Sequence, residues 1–95
     1  IDLLCSVCTG SLLLAKAELL RNKTATTHRE AINFLKEISP STNVISTKRF
    51  VYDTYFTSAG VSAGIDLSLK IVEMFYGKET AINTARYMEY ISKEY

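Results

Sequence analysis

Apolar residues in this chain come in short blocks whose spacing alternates between strand-like and helix-like. Residues 1–5 form a brief apolar stretch that reads as a strand, and residues 9–20 follow as a helix. That helix is apolar on nearly every side, with only Lys16 and Glu18 charged, the profile of a helix buried between layers. Asn22 can take the left-handed position that ends it. Residues 24–27 (Thr-Ala-Thr-Thr) read as a short β-branched strand, with His28 where it gives way to a second helix. Ala31, Phe34, Leu35 and Ile38 recur at helical spacing until Ser39 and Pro40 stop it.

Residues 43–46, 49–52 and 55–58 read as three strands joined by hairpins. The small-residue run at 59–64 then turns into a third helix, with Ile65, Leu69, Val72 and Tyr76 on its apolar face and Gly77 as its C-cap. A last helix over residues 79–91 carries Ala81, Ala85 and Met88 inward. Strand and helix alternate, which predicts an α/β fold with a mainly parallel sheet and a small hairpin. In such a sheet the turns after strands gather at the carboxyl edge, where ligands bind. That edge would hold Cys8, His28 and the Ser58-Ala59-Gly60 turn. His28 also reads as an exposed helix-start residue, and the turn as tight strand–helix packing.

Between strand and helix lies Ser6-Val7-Cys8-Thr9-Gly10, a small-x-Cys-x-Gly turn. This is the thiol counterpart of the nucleophile elbow, where the chain reverses so sharply that its flanking residues must be small. Gly10 is expected to spare the turn a Cβ that would collide with the strand. A helix N-terminus there favours thiolate over thiol. The N–H of Thr9 would point into the same space and stabilise an oxyanion. Cys8 is thus the candidate nucleophile and Thr9 its neighbour in the site.

Composition narrows the alternatives. The 95 residues carry eleven basic and ten acidic side chains, a net charge of +1, and no basic stripe of the kind that binds nucleic acid. The longest apolar run, residues 12–15, is too short to span a bilayer, and no signal peptide is visible. Two cysteines do not make a disulfide scaffold, so a cytoplasmic, reducing location is expected. The Cys5/Cys8 pair invites a redox or zinc reading. On a strand, however, the two Cα atoms would stand roughly 10 Å apart, whereas a disulfide needs them within about 7 Å. Zinc would need two further ligands, and His28 is the sole histidine. Cys5 reads as a small buried hydrophobe, and neither metal nor cofactor is expected.

Four blocks occur in order: residues 7–15 (Val-Cys-Thr-Gly-Ser-Leu-Leu-Leu-Ala), 25–28 (Ala-Thr-Thr-His), 49–51 (Arg-Phe-Val) and 57–66 (Thr-Ser-Ala-Gly-Val-Ser-Ala-Gly-Ile-Asp). They resemble the C-terminal half of the ThiJ/PfpI superfamily, with its flavodoxin-like, class I glutamine-amidotransferase-like sandwich and helices on both faces. The branch they look most like is the isonitrile hydratase-like one, which shares its domain with some AraC-type regulators. The resemblance implies that residues 1–95 are the C-terminal half of one such domain. It further implies that Cys8 and Thr9 are the catalytic positions, that Gly10, His28, Ser58, Ala59 and Gly60 line the pocket, that the protein acts on a small-molecule substrate, and that it forms a homodimer.

The chain also departs from the pattern. Thr9 stands where the protease branch has His, and the His-x-Glu element of glutamine amidotransferases is absent, so neither activity is expected. Arg29 replaces a frequent Trp, and Asp53-Thr54 a frequent Asp-Gly. The family's acidic partner comes from a first-strand region outside this sequence; Asp2 lies on the elbow's own strand. The resulting expectation is a cysteine-dependent hydratase that adds water to an isocyanide. The alternative is a non-catalytic or redox-sensing regulatory module with Cys8 as its sensor.

Overall fold

The computed structural model describes residues 3–92 and 95. Ile1 and Asp2, which open the expected first strand, lie outside the described residues. Strand β1 (Cys5–Val7) runs into a single 3-10 turn at Cys8–Gly10 and then helix α1 (Ser11–Lys16). Strand β2 (Thr24–Ala25) follows, then a 3-10 turn at Arg29–Ala31, α2 (Ile32–Ile38) and strand β3 (Asn43–Val44). Strands β4 (Phe50–Asp53) and β5 (Tyr55–Ser58) precede the long α3 (Val61–Tyr76) and α4 (Lys78–Tyr87).

Two sheets result. In the first, β5 lies between β1 and β4, parallel to β1 with Ser6 opposite Thr57, and antiparallel to β4 with Val51 opposite Thr57. In the second, β2 and β3 pair in parallel. The fold is α/β; the three-stranded sheet is mixed, and of the three pairings in the two sheets together two are parallel. Side chains stitch the sheets together: the Thr24 N–H donates to Asp53 Oδ2 at 2.8 Å and the Thr26 N–H to Thr57 Oγ1 at 2.9 Å. These bonds satisfy backbone donors of β2 and of the residue just after it.

Among the described residues, only β4 and β5 form a hairpin. The strand expected at 43–46 pairs instead with β2, the Asn43 and Ile45 N–H groups donating to the Lys23 and Ala25 carbonyls. At the hairpin tip Thr54 stands at φ 67°, a conformation that a glycine adopts freely and a β-branched residue resists.

Helix α1 stops at Lys16 rather than Leu20, for an identifiable reason. Glu18 turns left-handed at φ 62°, its N–H donates to the Ala15 carbonyl, and the Leu19 N–H donates to the Leu14 carbonyl. This is a Schellman motif with Glu18 in the position usually given to glycine. Helix α4 ends the same way, at Tyr87 rather than Ile91, with Glu89 at φ 56° and the Tyr90 N–H on the Ala85 carbonyl. Asn22 does adopt the left-handed conformation, at φ 60°.

The core gathers Ala15, Leu20, Ala25 and Leu35, with Leu12, Leu14, Ile38, Val44 and Tyr55 packed against them. Several expected inward positions face outward. Leu13 is 73% exposed, so α1 is not buried on every side, and Phe34, Tyr76 and Met88 are also exposed. On α3 the buried stripe is Ala63, Gly64, Leu67 and Leu69. Its first turns lie so close to β1 that small residues are required: a Cβ added to Gly64 would come within 2.9 Å of Val7 Cγ1.

Candidate functional site

Cys8 is the first residue after β1 and stands at φ 59°. Only a few per cent of non-glycine residues adopt positive φ, and for an L-residue the conformation costs about 1–2 kcal/mol. The surroundings hold it there. Its N–H donates to the Ala59 carbonyl at 3.1 Å, and its own carbonyl accepts the Thr27 hydroxyl at 2.9 Å. Ala59 in turn donates its N–H to the Arg49 carbonyl at 2.8 Å. The elbow is thus clamped from two sides, by the turn after β5 and by the residues following β2.

The turn at Cys8–Gly10 is a 3-10 turn, and the α-helix proper begins at Ser11 and lasts six residues. The expected helix start at Thr9 therefore moves two residues on. Cys8 is half-buried and Thr9 exposed. Gly10 behaves differently from expectation: at φ −58° a Cβ there would lie 3.4 Å from Ser6 Cβ, an ordinary contact. The tight glycine beside β1 is Gly64.

His28 caps the turn at Arg29–Ala31, its Nδ1 accepting the Glu30 N–H at 3.0 Å. With Nδ1 used as acceptor, Nε2 is the nitrogen left to carry the proton. The imidazole lies against Gly60, where an added Cβ would stand 3.4 Å from Cδ2 and 3.8 Å from Nε2. Gly60 itself begins α3, its carbonyl accepting the Ala63 N–H. Cys8, His28, Ala59 and Gly60 thus share one edge of the fold, brought together from three separate stretches of chain. Ser58, at the end of β5, is fully buried, and its hydroxyl, like those of Ser6 and Ser11, finds no partner among the described residues.

The two thiols are both free. Burial pushes the Cys5 thiol above its ordinary pKa. Among the described residues, no three His, Cys, Asp or Glu side chains cluster so as to hold a metal ion. No helix among them is long and apolar enough to cross a membrane.

Thr27 is the residue that sequence reasoning passed over. It reads as one more β-branched strand position, and its side chain supports Cys8 nineteen residues upstream. Its adjacency to His28 in the Thr26-Thr27-His28 block is the one available signal.

The geometry agrees with what comparisons with known proteins show. The DJ-1/PfpI family pattern matches residues 2–74. The isonitrile hydratase of Pseudomonas putida is 41% identical over 87 residues, which cover 90% of this chain and 36% of that protein. The HTH-type transcriptional regulator CdhR of Pseudomonas aeruginosa is 36% identical over 77 residues, 81% of this chain and 23% of the regulator. Among solved structures, a ThiJ/PfpI family protein from Pseudomonas syringae superposes with a TM-score of 0.80 at 32% identity, covering 96% of this chain and 37% of that one. DJ-1beta of Drosophila melanogaster, at 24% identity, shares the fold with a TM-score of 0.81 over 95% of this chain and 47% of its own. The chain therefore spans less than half the length of these relatives. Its elbow, strand pairing and flavodoxin-like arrangement have one common explanation: the chain belongs to the DJ-1/PfpI family.

Proposed function

We propose that this chain carries the nucleophile half of an isonitrile hydratase-like site, within a homodimeric cytoplasmic enzyme whose remaining residues complete the same domain. The observation that carries the proposal is the left-handed backbone of Cys8, held at φ 59° by bonds on both its N–H and its carbonyl. Strained non-glycine positions persist where the surroundings over-determine them, and they cluster at functional sites. The 41% identity to an isonitrile hydratase supports the choice of substrate.

The chemistry balances with one thiol and one water. The Cys8 thiol adds to the terminal carbon of R–N≡C; sulfur bonds to that carbon, and a proton is delivered to it, giving a thioformimidate. Water then attacks the same carbon, the C–S bond breaks, and nitrogen and sulfur each end with a proton. The products are R–NH–CHO and the free thiol. Thr9, exposed beside Cys8, would orient the water through its hydroxyl. The proton transfers need a carboxylic acid, which we assign to residues outside this chain. Ala59, Gly60 and the His28 ring would wall the pocket.

Incubating the full-length protein with cyclohexyl isocyanide tests this directly. Appearance of N-cyclohexylformamide, lost in Cys8→Ser, is the expected result. No formamide from correctly folded protein overturns it. A second reading is favoured by the 36% identity to a transcriptional regulator. In that reading the pocket binds a small molecule without turning it over, and selective oxygen addition at Cys8 under mild peroxide marks its redox-sensing form.

A further inference from the structure

Away from the elbow, a cavity of about 630 Å³ opens between the start of β4, the first turns of α3 and the segment after α4. Its walls include Lys48, Arg49, Phe50, Asp66, Tyr90 and Ile91, and none of Cys8, Thr9 and His28 reaches it. The volume lies within the range of small-molecule sites, roughly 300–1,000 Å³.

The charges inside are unequal. Asp66 is the single carboxylate among the described lining residues, and both its oxygens are engaged: Oδ2 accepts Arg49 Nε, and Oδ1 accepts the Tyr90 hydroxyl at 2.9 Å. Arg49 also donates through Nη2 to Ser62 Oγ at 3.1 Å, which leaves Nη1 unused among the described residues. Lys48 is exposed and pairs with no described residue. Two cations therefore face one carboxylate that is already committed. Beside them, the Phe50 ring and the Ile91 side chain add apolar surface.

We propose that this cavity is a binding site for a small carboxylate with an apolar or aromatic body, separate from the Cys8 site. The remaining nitrogen of the Arg49 guanidinium, Nη1, donates to the carboxylate in a charge-assisted hydrogen bond. Lys48 adds a second charge from the rim, and Phe50 and Ile91 cover the apolar body. Asp66 and Tyr90 act as positioning residues that hold the guanidinium in place. A ligand here would sit one residue's backbone away from the elbow clamp, because the Arg49 carbonyl holds Ala59, and Ala59 holds Cys8.

The test is titration of the full-length protein with benzoate, followed by ¹H–¹⁵N correlation spectra, with benzyl alcohol as the uncharged control. Saturable shifts centred on residues 48–50, 62, 66 and 90–91 are expected with benzoate and not with the alcohol. Cys8→Ser should bind benzoate as the native protein does. Lys48→Gln should weaken it about two- to five-fold, since an exposed charge pair contributes up to about 1 kcal/mol. Arg49→Gln, checked for folding by its own spectrum, should weaken it about ten-fold. Equal binding of the alcohol, shifts centred on Cys8 and His28, or unchanged affinity in Lys48→Gln would each overturn the proposal. Binding of inorganic phosphate in preference to benzoate would overturn the carboxylate assignment.

Discussion

The hydroxyl of Thr27 donates to the carbonyl of Cys8 at 2.9 Å, so a buried residue beside β2 supports the one strained peptide of the elbow. Thr27→Val keeps the volume and removes the donor, leaving a carbonyl without its partner at a cost of about 1–2 kcal/mol. Alkylation of Cys8 by iodoacetamide should slow in this variant and recover in Thr27→Ser, which restores the hydroxyl. Equal rates in all three proteins would show that the bond does not position the thiol.

Cys8 should be alkylated before Cys5. Burial raises the Cys5 pKa, so less of that thiol is thiolate at any given pH. Its labelling rate should keep climbing above the pH at which an ordinary thiol has levelled off. Peptide mapping after brief treatment at pH 7 checks the order, and preferential Cys5 labelling would refute it.

Gly64→Ala should destabilise the protein by about 1–3 kcal/mol, the usual cost of forcing extra volume into a packed contact. The added Cβ meets Val7 Cγ1 at 2.9 Å and must push α3 away from β1. Gly10→Ala meets only an ordinary contact with Ser6 and should cost less. Chemical denaturation of both variants decides between them.

Thr54→Gly should stabilise the hairpin, by about 1 kcal/mol, because glycine occupies φ 67° without the penalty of a β-branched side chain. A decrease in the denaturation midpoint would argue against strain at this turn.

The Tyr95 hydroxyl donates to Glu73 Oε1 at 2.5 Å and holds that carboxyl below the usual carboxylate range, with Lys70 and Lys78 assisting. A depressed carboxylate pKa stabilises the fold above the group's unfolded value, and the benefit is lost as pH falls through the folded one. Tyr95→Phe keeps the ring under Lys78 Nζ but removes the donor, so Glu73 should titrate closer to an unperturbed glutamate. Carboxyl-carbon NMR titration of both proteins would show the upward shift; superimposable curves would refute the pairing.

Residues close in sequence were enough to indicate the α/β class, the elbow at Cys8 and the place of His28 between strand and helix. Small residues around a sharp turn, and strand and helix periods of two and 3.6, are local signals that survive in any tertiary setting. The left-handed Asn22 and the start of α3 after Gly60 were legible for the same reason. Helix ends were harder to read, because Glu18 and Glu89 occupy left-handed positions that composition would assign to glycine. Strand partners lay beyond local logic: β3 joins β2 rather than β4, a choice made by hydrogen bonds across about twenty residues. The inward faces of α2 and α3 were likewise set by which neighbour each helix meets, which left Phe34 and Tyr76 outside and drew Gly64 against Val7. The sequence by itself determined that a cysteine would stand at a strand-to-helix turn. Only the tertiary structure decided that Thr27 and Ala59 would hold it there, with Arg49 holding Ala59 in turn, through contacts that residue spacing does not encode.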